Sequence, residues 1–233
     1  MLKDLPEDWG RALAVVAHPD DMEYGASSAV ARWTDQGKWV GYCLVTAGEA
    51  GIAGMDPAEA TRLRRGEQEA SCAAVGVDDL RYLGHPDGLV ENDLVLRRDL
   101  AAAIRATRPE IVISINHHDS WGGPSWNHAD HRNVGRALLD AARDAGNDWL
   151  FPDAGPAWSG VRFVAFNASP HPTHAVDITA TLHRGIASLE CHRVYLDALS
   201  DPTDPDSFLR GNAEAAAAET RHELATTFEL IFV

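Results

Sequence analysis

The stretch Leu13-Ala14-Val15-Val16-Ala17-His18-Pro19-Asp20-Asp21-Met22-Glu23 decides the fold and locates the chemistry. Its first five residues form a short apolar run with two valines, the pattern of a strand covered on both faces. Its last six residues turn polar, so one imidazole and three carboxylates follow the strand's carboxyl end. Open α/β sheets place their ligands at that end. Pro19 fixes its own φ and stiffens the turn across which His18 and Asp21 stand three positions apart. So much charge in one turn behind a core strand points to a bound cation.

Outward from this turn, apolar runs predict strands over 12–17, 39–46, 80–83, 110–115 and 161–166. Helical patterns fall between and after them, over 25–36, 57–75, 94–107, 131–145 and 178–190. Asp56-Pro57 reads as an N-cap followed by a first-turn proline. The expected fold class is α/β and Rossmann-like, a mainly parallel sheet flanked by helices on both faces. No linker or internal repeat interrupts the alternation, so residues 1–233 are expected to form a single domain. Tyr24-Gly25-Ala26 stands where a dinucleotide-binding loop would need GxGxxG, which disfavours that class. The segment HHDSWGGPSWN at 117–127 is expected to be a shaped loop at the site mouth, and 147–160 a second connection.

The balance of 20 basic against 35 acidic residues gives a formal charge of −15, which disfavours nucleic acid or an anionic membrane as partner. Hydrophobic residues at 45% and charged residues at 24% suit a globular chain with a substantial core. The three cysteines show no CxxC spacing and read as structural thiols of a reducing compartment. The N-terminal MLKDLPEDWG has neither a basic n-region nor an apolar h-region, and no apolar run is of membrane-spanning length. A cytoplasmic location is expected.

A second polar cluster, Asn127-His128-Ala129-Asp130-His131, opens a helix. His128 and His131, at i and i+3, share a face. One of them with His18 and Asp21 makes three protein ligands and an open fourth position, the arrangement of catalytic zinc. Iron, cobalt and manganese also suit such donors. Spacing leaves open which histidine ligates; the other, protonated, would face a developing oxyanion, with Asp130 or Asp119 holding its charge. Asp20 need not coordinate and stands where it can take a proton from water. Glu23 would orient a ligand or a cap.

At these residues the chain resembles the PIG-L/LmbE family of zinc-dependent N-deacetylases. The resemblance runs in order through AHPDDME at 17–23, TAGEAG at 46–51, RRGEQEA at 64–70, VGV at 75–77, LGHPDG at 83–88, RPEIVIS at 108–114 and NHADHRNVGRALLDA at 127–141. HAVDIT at 174–179 is similar but less distinctive. The resemblance implies metal ligation by His18, Asp21 and His131, with Zn2+ as cofactor or another divalent transition metal in its place. It makes Asp20 the general base, His128 the electrostatic partner or acid, and Asp130 the residue that orients His128. Arg64 and Asp87 match positions that contact the sugar. The implied reaction is hydrolysis of the N-acetyl amide of a small-molecule amino sugar or glycoside. Ala129 stands where the family often has proline, which alters stiffness more than chemistry.

The role of His85 is open, with a second metal-ligand role as the lesser alternative, and His192 receives none; His117 and His118 read as solvent-exposed loop residues, with pocket lining by one of them as the alternative. The chain is shorter than several family members, with little room for an added substrate-recognition subdomain. Two alternatives stand beside the main reading: an amidase acting on a thiol conjugate or natural-product intermediate, and a non-catalytic metal- or ligand-binding protein of this fold. The pairing of Asp20 with His128 argues against the second, since storage needs ligands but no acid–base pair.

Overall fold

The computed structural model describes residues 1–200 and 204–233. Its strands are β1 (Lys3–Asp4), β2 (Arg11–Val16), β3 (Trp39–Leu44), β4 (Asp79–Tyr82), β5 (Ile111–Ile115), β6 (Phe163–Asn167), β7 (His174–Asp177) and β8 (Ala225–Phe232). The helices are α1 (Ser27–Asp35), α2 (Pro57–Val75), α3 (Leu94–Thr107), α4 (Ala129–Asp144), α5 (Leu182–Glu190), α6 (Arg193–Ala198) and α7 (Pro205–Ala217). The strands form one sheet in the order β1-β7-β8-β6-β5-β2-β3-β4. Every pairing is parallel except those of β8, which runs antiparallel between β6 and β7.

Side-chain alternation divides the core into two layers. Along β2, Ala12, Ala14 and Val16 pack with residues of α1, α2, α5 and α7, such as Trp33, Val75, Leu189 and Leu209. Leu13 and Val15 face the other layer, built with Leu100 and Ile104 of α3 and Leu138 of α4. Helices therefore cover both faces, which is why the central strands read as unbroken apolar runs.

The five strands expected from sequence are present within a few residues of their predicted ends. β1, β7 and β8, together with α6 and α7, lie outside the expected set. β8 (ATTFELIF) escaped notice because two threonines and a glutamate dilute its apolar content. It alternates with period two instead, burying Phe228 and Leu230, as suits the one strand that pairs antiparallel on both sides.

Local capping explains the helix ends nearest the site. The Asp56 carboxylate accepts from the N–H groups of Ala58 and Glu59, and Gly76 at φ +76° ends α2 in the left-handed region. α4 begins two residues before the predicted start, because His128 itself caps it. From β2 the chain moves outward to β3 and β4, then returns to place β5 on the other flank of β2. The connections leaving β2 and β5 diverge at this switch point and open a crevice beyond the strand ends. No helix among the described residues is long and apolar enough to cross a membrane. All three cysteines are unpaired.

Candidate metal centre and active site

Both polar clusters converge on that crevice. The turn after β2 is held by the N–H groups of Glu23 and Tyr24, which donate to the Asp20 carbonyl at 2.9 and 3.1 Å. Asp20 itself adopts φ +93°, a conformation that costs a non-glycine residue about 1–3 kcal/mol. Surrounding bonds over-determine it: its N–H donates to Gln68 Oε1 at 3.2 Å, and its carboxylate meets Arg64 Nη2 at 3.2 Å.

His18 Nδ1 and His131 Nε2 face each other at 3.2 Å. Asp21 Oδ1 lies 3.0 Å from His131 Nε2, and Asp21 Oδ2 lies 3.7 Å from His18 Nδ1. The remaining ring nitrogens are committed. His18 Nε2 is within 3.1 Å of both Asp87 Oδ1 and Asp130 Oδ2, and His131 Nδ1 is 2.9 Å from Asn127 Oδ1. These oxygens can only accept, so each imidazole spends its N–H outward and turns a lone pair toward the other. Two lone pairs and a carboxylate aimed at one point suit a divalent cation, and the outer oxygens orient the rings as they do around metal-ligating histidines.

One ligand atom each from His18, Asp21 and His131 falls within 4.8 Å of the others. His18, His128 and Asp130 also meet that distance. In that set, however, both Asp130 oxygens already accept backbone N–H groups, Gly88 at 2.8 Å and Val90 at 3.2 Å. The charges around the first set act on one another, and an ion there would replace the proton that the neighbouring carboxylates favour on His18. Although burial opposes charge on both partners, His131 and His18 hold the Asp21 carboxyl well below the usual carboxylate range, and Asp21, Asp130 and Asp87 raise His18. Burial pushes Asp20 up, helped by the charges of Asp21 and Glu23 and opposed by Arg64.

The structure gives several residues contacts beyond those expected, while Arg64 and Asp87 also line the cavity over the cluster. The Asp130 carboxylate reaches His18 rather than His128; what Asp130 offers His128 is its backbone N–H, donated to Nδ1 at 3.1 Å. Because Nδ1 accepts, the proton of the neutral His128 ring sits on Nε2. Asp87 spends one oxygen on His18 and the other on the Ala50 N–H at 2.8 Å. Arg64 is 2% exposed, and its guanidinium donates to Pro19 O at 2.5 Å and Gly48 O at 3.3 Å while stacking 4.1 Å over the Tyr195 ring. As placed, Arg64 positions Asp20 and its turn. Glu23 Oε1 accepts from Gln68 Nε2 at 2.9 Å and Ser71 Oγ at 2.6 Å, so it steadies the amide that receives the Asp20 N–H.

Gln68 and Tyr195 were not singled out from sequence, and Asn127, named within the second polar cluster, was given no role. Gln68 lies four residues after Arg64 on α2, so projecting that helix face finds it, whereas Asn127 lies just before the His128 cap of α4. Tyr195 arrives from a distant segment with no local signal. His85 pairs with Asp99 at 3.1 Å, and His192 is wholly buried with Nε2 3.7 Å from Glu23. His117 and His118 are not the exposed residues expected: His117 is 8% exposed and stacks on Phe166, and His118 pairs with Glu229.

The cluster forms the floor of a cavity of about 580 Å³ walled by Tyr24, Trp121, Tyr195 and Phe208. Trp121 belongs to the glycine- and proline-rich loop after β5, which does lie at the site mouth.

Residues 13–142 match the family profile described as PIG-L, GlcNAc-PI de-N-acetylase. Over 182 residues the chain is 32% identical to a 1D-myo-inositol 2-acetamido-2-deoxy-alpha-D-glucopyranoside deacetylase of a Nocardioides species, covering 64% of this chain and 59% of that protein. The chain thus spans about six tenths of that relative's length. It is 28% identical to a diacetylchitobiose deacetylase of Thermococcus kodakarensis, over 79% of this chain and 70% of the other. Among solved structures, N,N'-diacetylchitobiose deacetylase from Pyrococcus horikoshii superimposes with a TM-score of 0.84 at 23% identity, covering 97% of this chain and 85% of that one. That likeness shows a shared α/β fold. With more than half of its residues matching the family profile around a His/Asp centre, the chain belongs to the PIG-L family.

Proposed function

We propose that this chain is a zinc-dependent N-deacetylase that hydrolyses the acetamide of an N-acetylated amino sugar or glycoside. The reading rests on one observation: two histidine lone pairs and Asp21 converge on one point, with Asp20 beside them, at the floor of an aromatic-walled cavity. His18, Asp21 and His131 would hold the ion, which when bound polarises a carbonyl and lowers the pKa of water toward ~7.

The chain's own groups supply the rest. Asp20, with its proton affinity raised by burial, takes the proton of the attacking water. Arg64 and Gln68 keep the Asp20 carboxylate aimed while that charge moves. His128, with its proton on Nε2, donates to the acetyl oxygen as negative charge develops there. The proton held on Asp20 passes to the leaving nitrogen as the C–N bond breaks, giving acetate and a free amine. The aromatic walls offer apolar surfaces for the C–H face of a sugar ring.

A neighbouring cavity of about 360 Å³ shares Tyr24, Asn167, Ala168 and Asn212 with the first and is lined further by Ile178 and Leu209. This favours substrates that carry an apolar group beyond the sugar, and it keeps a natural-product amide in view as a second reading. Within the same proposal, residues 1–233 act as one domain. The unpaired Cys43 and Cys72, both buried, support a reducing, cytoplasmic setting.

The test is amine release from a panel of N-acetyl amino sugars and glycosides by zinc-loaded protein. Asp20→Asn, an amide that tolerates the positive φ, is expected to lower turnover by about 10²–10⁴-fold at unchanged metal content. His131→Ala is expected to lose the ion by metal analysis. Absence of amine release across the panel overturns the activity; iron or manganese in place of zinc in the purified protein overturns the choice of metal.

A further inference from the structure

We propose that His117, His118 and Glu229 form a second divalent transition-metal site, which ties the start of the 116–127 loop to β8. One ligand atom from each lies within 4.8 Å of the others, and no residue is shared with the His18 centre. Two imidazoles and one carboxylate are a donor set that zinc and its neighbours in the first transition row accept.

The parts come from three places in the fold. His117 and His118 leave the end of β5 with ring centroids 4.3 Å apart, and Glu229 lies on β8. His171, after β6, brings a third imidazole edge-on to His118 at 4.8 Å, a fourth donor available by a change of rotamer. Glu229 Oε2 already draws His118 Nε2 to 2.7 Å and Ser169 Oγ to 2.6 Å. An ion pair between His118 and Glu229 accounts for those two residues alone. It leaves His117, packed on Phe166 and 8% exposed, with Nδ1 buried and without a hydrogen-bond partner. A cation held with His118 and Glu229 would give this buried, unpartnered imidazole the polar partner it lacks.

The position has a consequence. Asn127 Nδ2 donates to the His118 carbonyl at 2.9 Å and Asn127 Oδ1 meets His131. An ion at His118 would therefore steady the loop that carries Trp121 into the cavity.

Chelator-stripped protein is titrated with Co2+ alone, and bound metal is counted after dialysis alongside the visible absorption bands. Wild type is expected to hold two equivalents. His118→Ala and Glu229→Gln each hold one, and His131→Ala also holds one, through loss of the other centre. His118 is partly exposed and Glu229→Gln keeps an acceptor for Ser169, so both variants are expected to unfold at the wild-type temperature when metal-free. One equivalent in wild type overturns the proposal without recourse to any variant. So do two equivalents retained in both His118→Ala and Glu229→Gln. Because His131→Ala reports on the first centre separately, failure of the second site is distinguishable from failure of the deacetylase reading.

Discussion

His131, a ligand under the proposed function, shows how a histidine is oriented for that role. Its ring could present either nitrogen, and Asn127 decides which by taking Nδ1 at 2.9 Å. Asn127 is itself fixed, because its amide donates to the carbonyls of Asn116 and His118. Asn127→Ala is expected to weaken metal binding by about 10–100-fold, read by competition with a chromogenic chelator. Unchanged affinity would mean that the ring needs no outer partner. His18 and Asp21 are legible as a pair in the sequence, since only two residues, one of them a proline, separate them. The partner of His131 is equally local, yet asparagine carries no metal signal of its own.

At the scale of elements, α2 works as a rail. Arg64, Gln68 and Ser71 lie along one face and reach Asp20 or Glu23, while Glu67 accepts the Val194 N–H that begins α6. The loop after β3 must leave room for this rail. A Cβ on Gly51 would stand 2.5 Å from Arg64 Nη1, and one on Gly48, at φ +68°, 2.2 Å from it. Gly51→Ala is expected to shift the guanidinium and, through it, Asp20, lowering kcat by about 10–100-fold. Steady-state kinetics with unchanged kcat would show that Arg64 does not position the base. Stability at the same helix rests on its cap. Asp56→Ala is expected to cost about 1 kcal/mol, lowering Tm by roughly 2–4 °C without altering metal content; an unchanged Tm would mean that water replaces the cap.

For the whole molecule, acid sensitivity follows from buried imidazoles. Burial pulls His192 down to about 3 and His117 down to about 4, so both stay neutral in the folded protein. An unfolded histidine takes up its proton near 6.5. Between those values the unfolded chain binds more protons than the native one, so this stability is intact above pH 6.5 and lost as pH falls below it. For His192 the slope reaches at most about 1.4 kcal/mol per pH unit. In metal-free His192→Leu, urea unfolding from pH 7 to 5 is expected to lose roughly 1–2 kcal/mol less stability than wild type loses. Parallel pH profiles would exclude His192 as a source of the acid limb.

The sequence by itself determined the α/β class, the central strand (expected over 12–17, found at Arg11–Val16) and the two polar clusters, because those signals are written within a few residues of chain. Hydrophobic runs report two-sided burial, and a turn dense in carboxylates reports its chemistry without reference to distant partners. Only the tertiary structure decided that β8 enters antiparallel, that Asp130 grips His18, and that Arg64 holds the Asp20 turn. Each of these joins segments at least 44 residues apart, Arg64 with Asp20 being the nearest in sequence. Periodicity carries no information over that span, because a side chain's direction there is set by the packing of whole elements against one another.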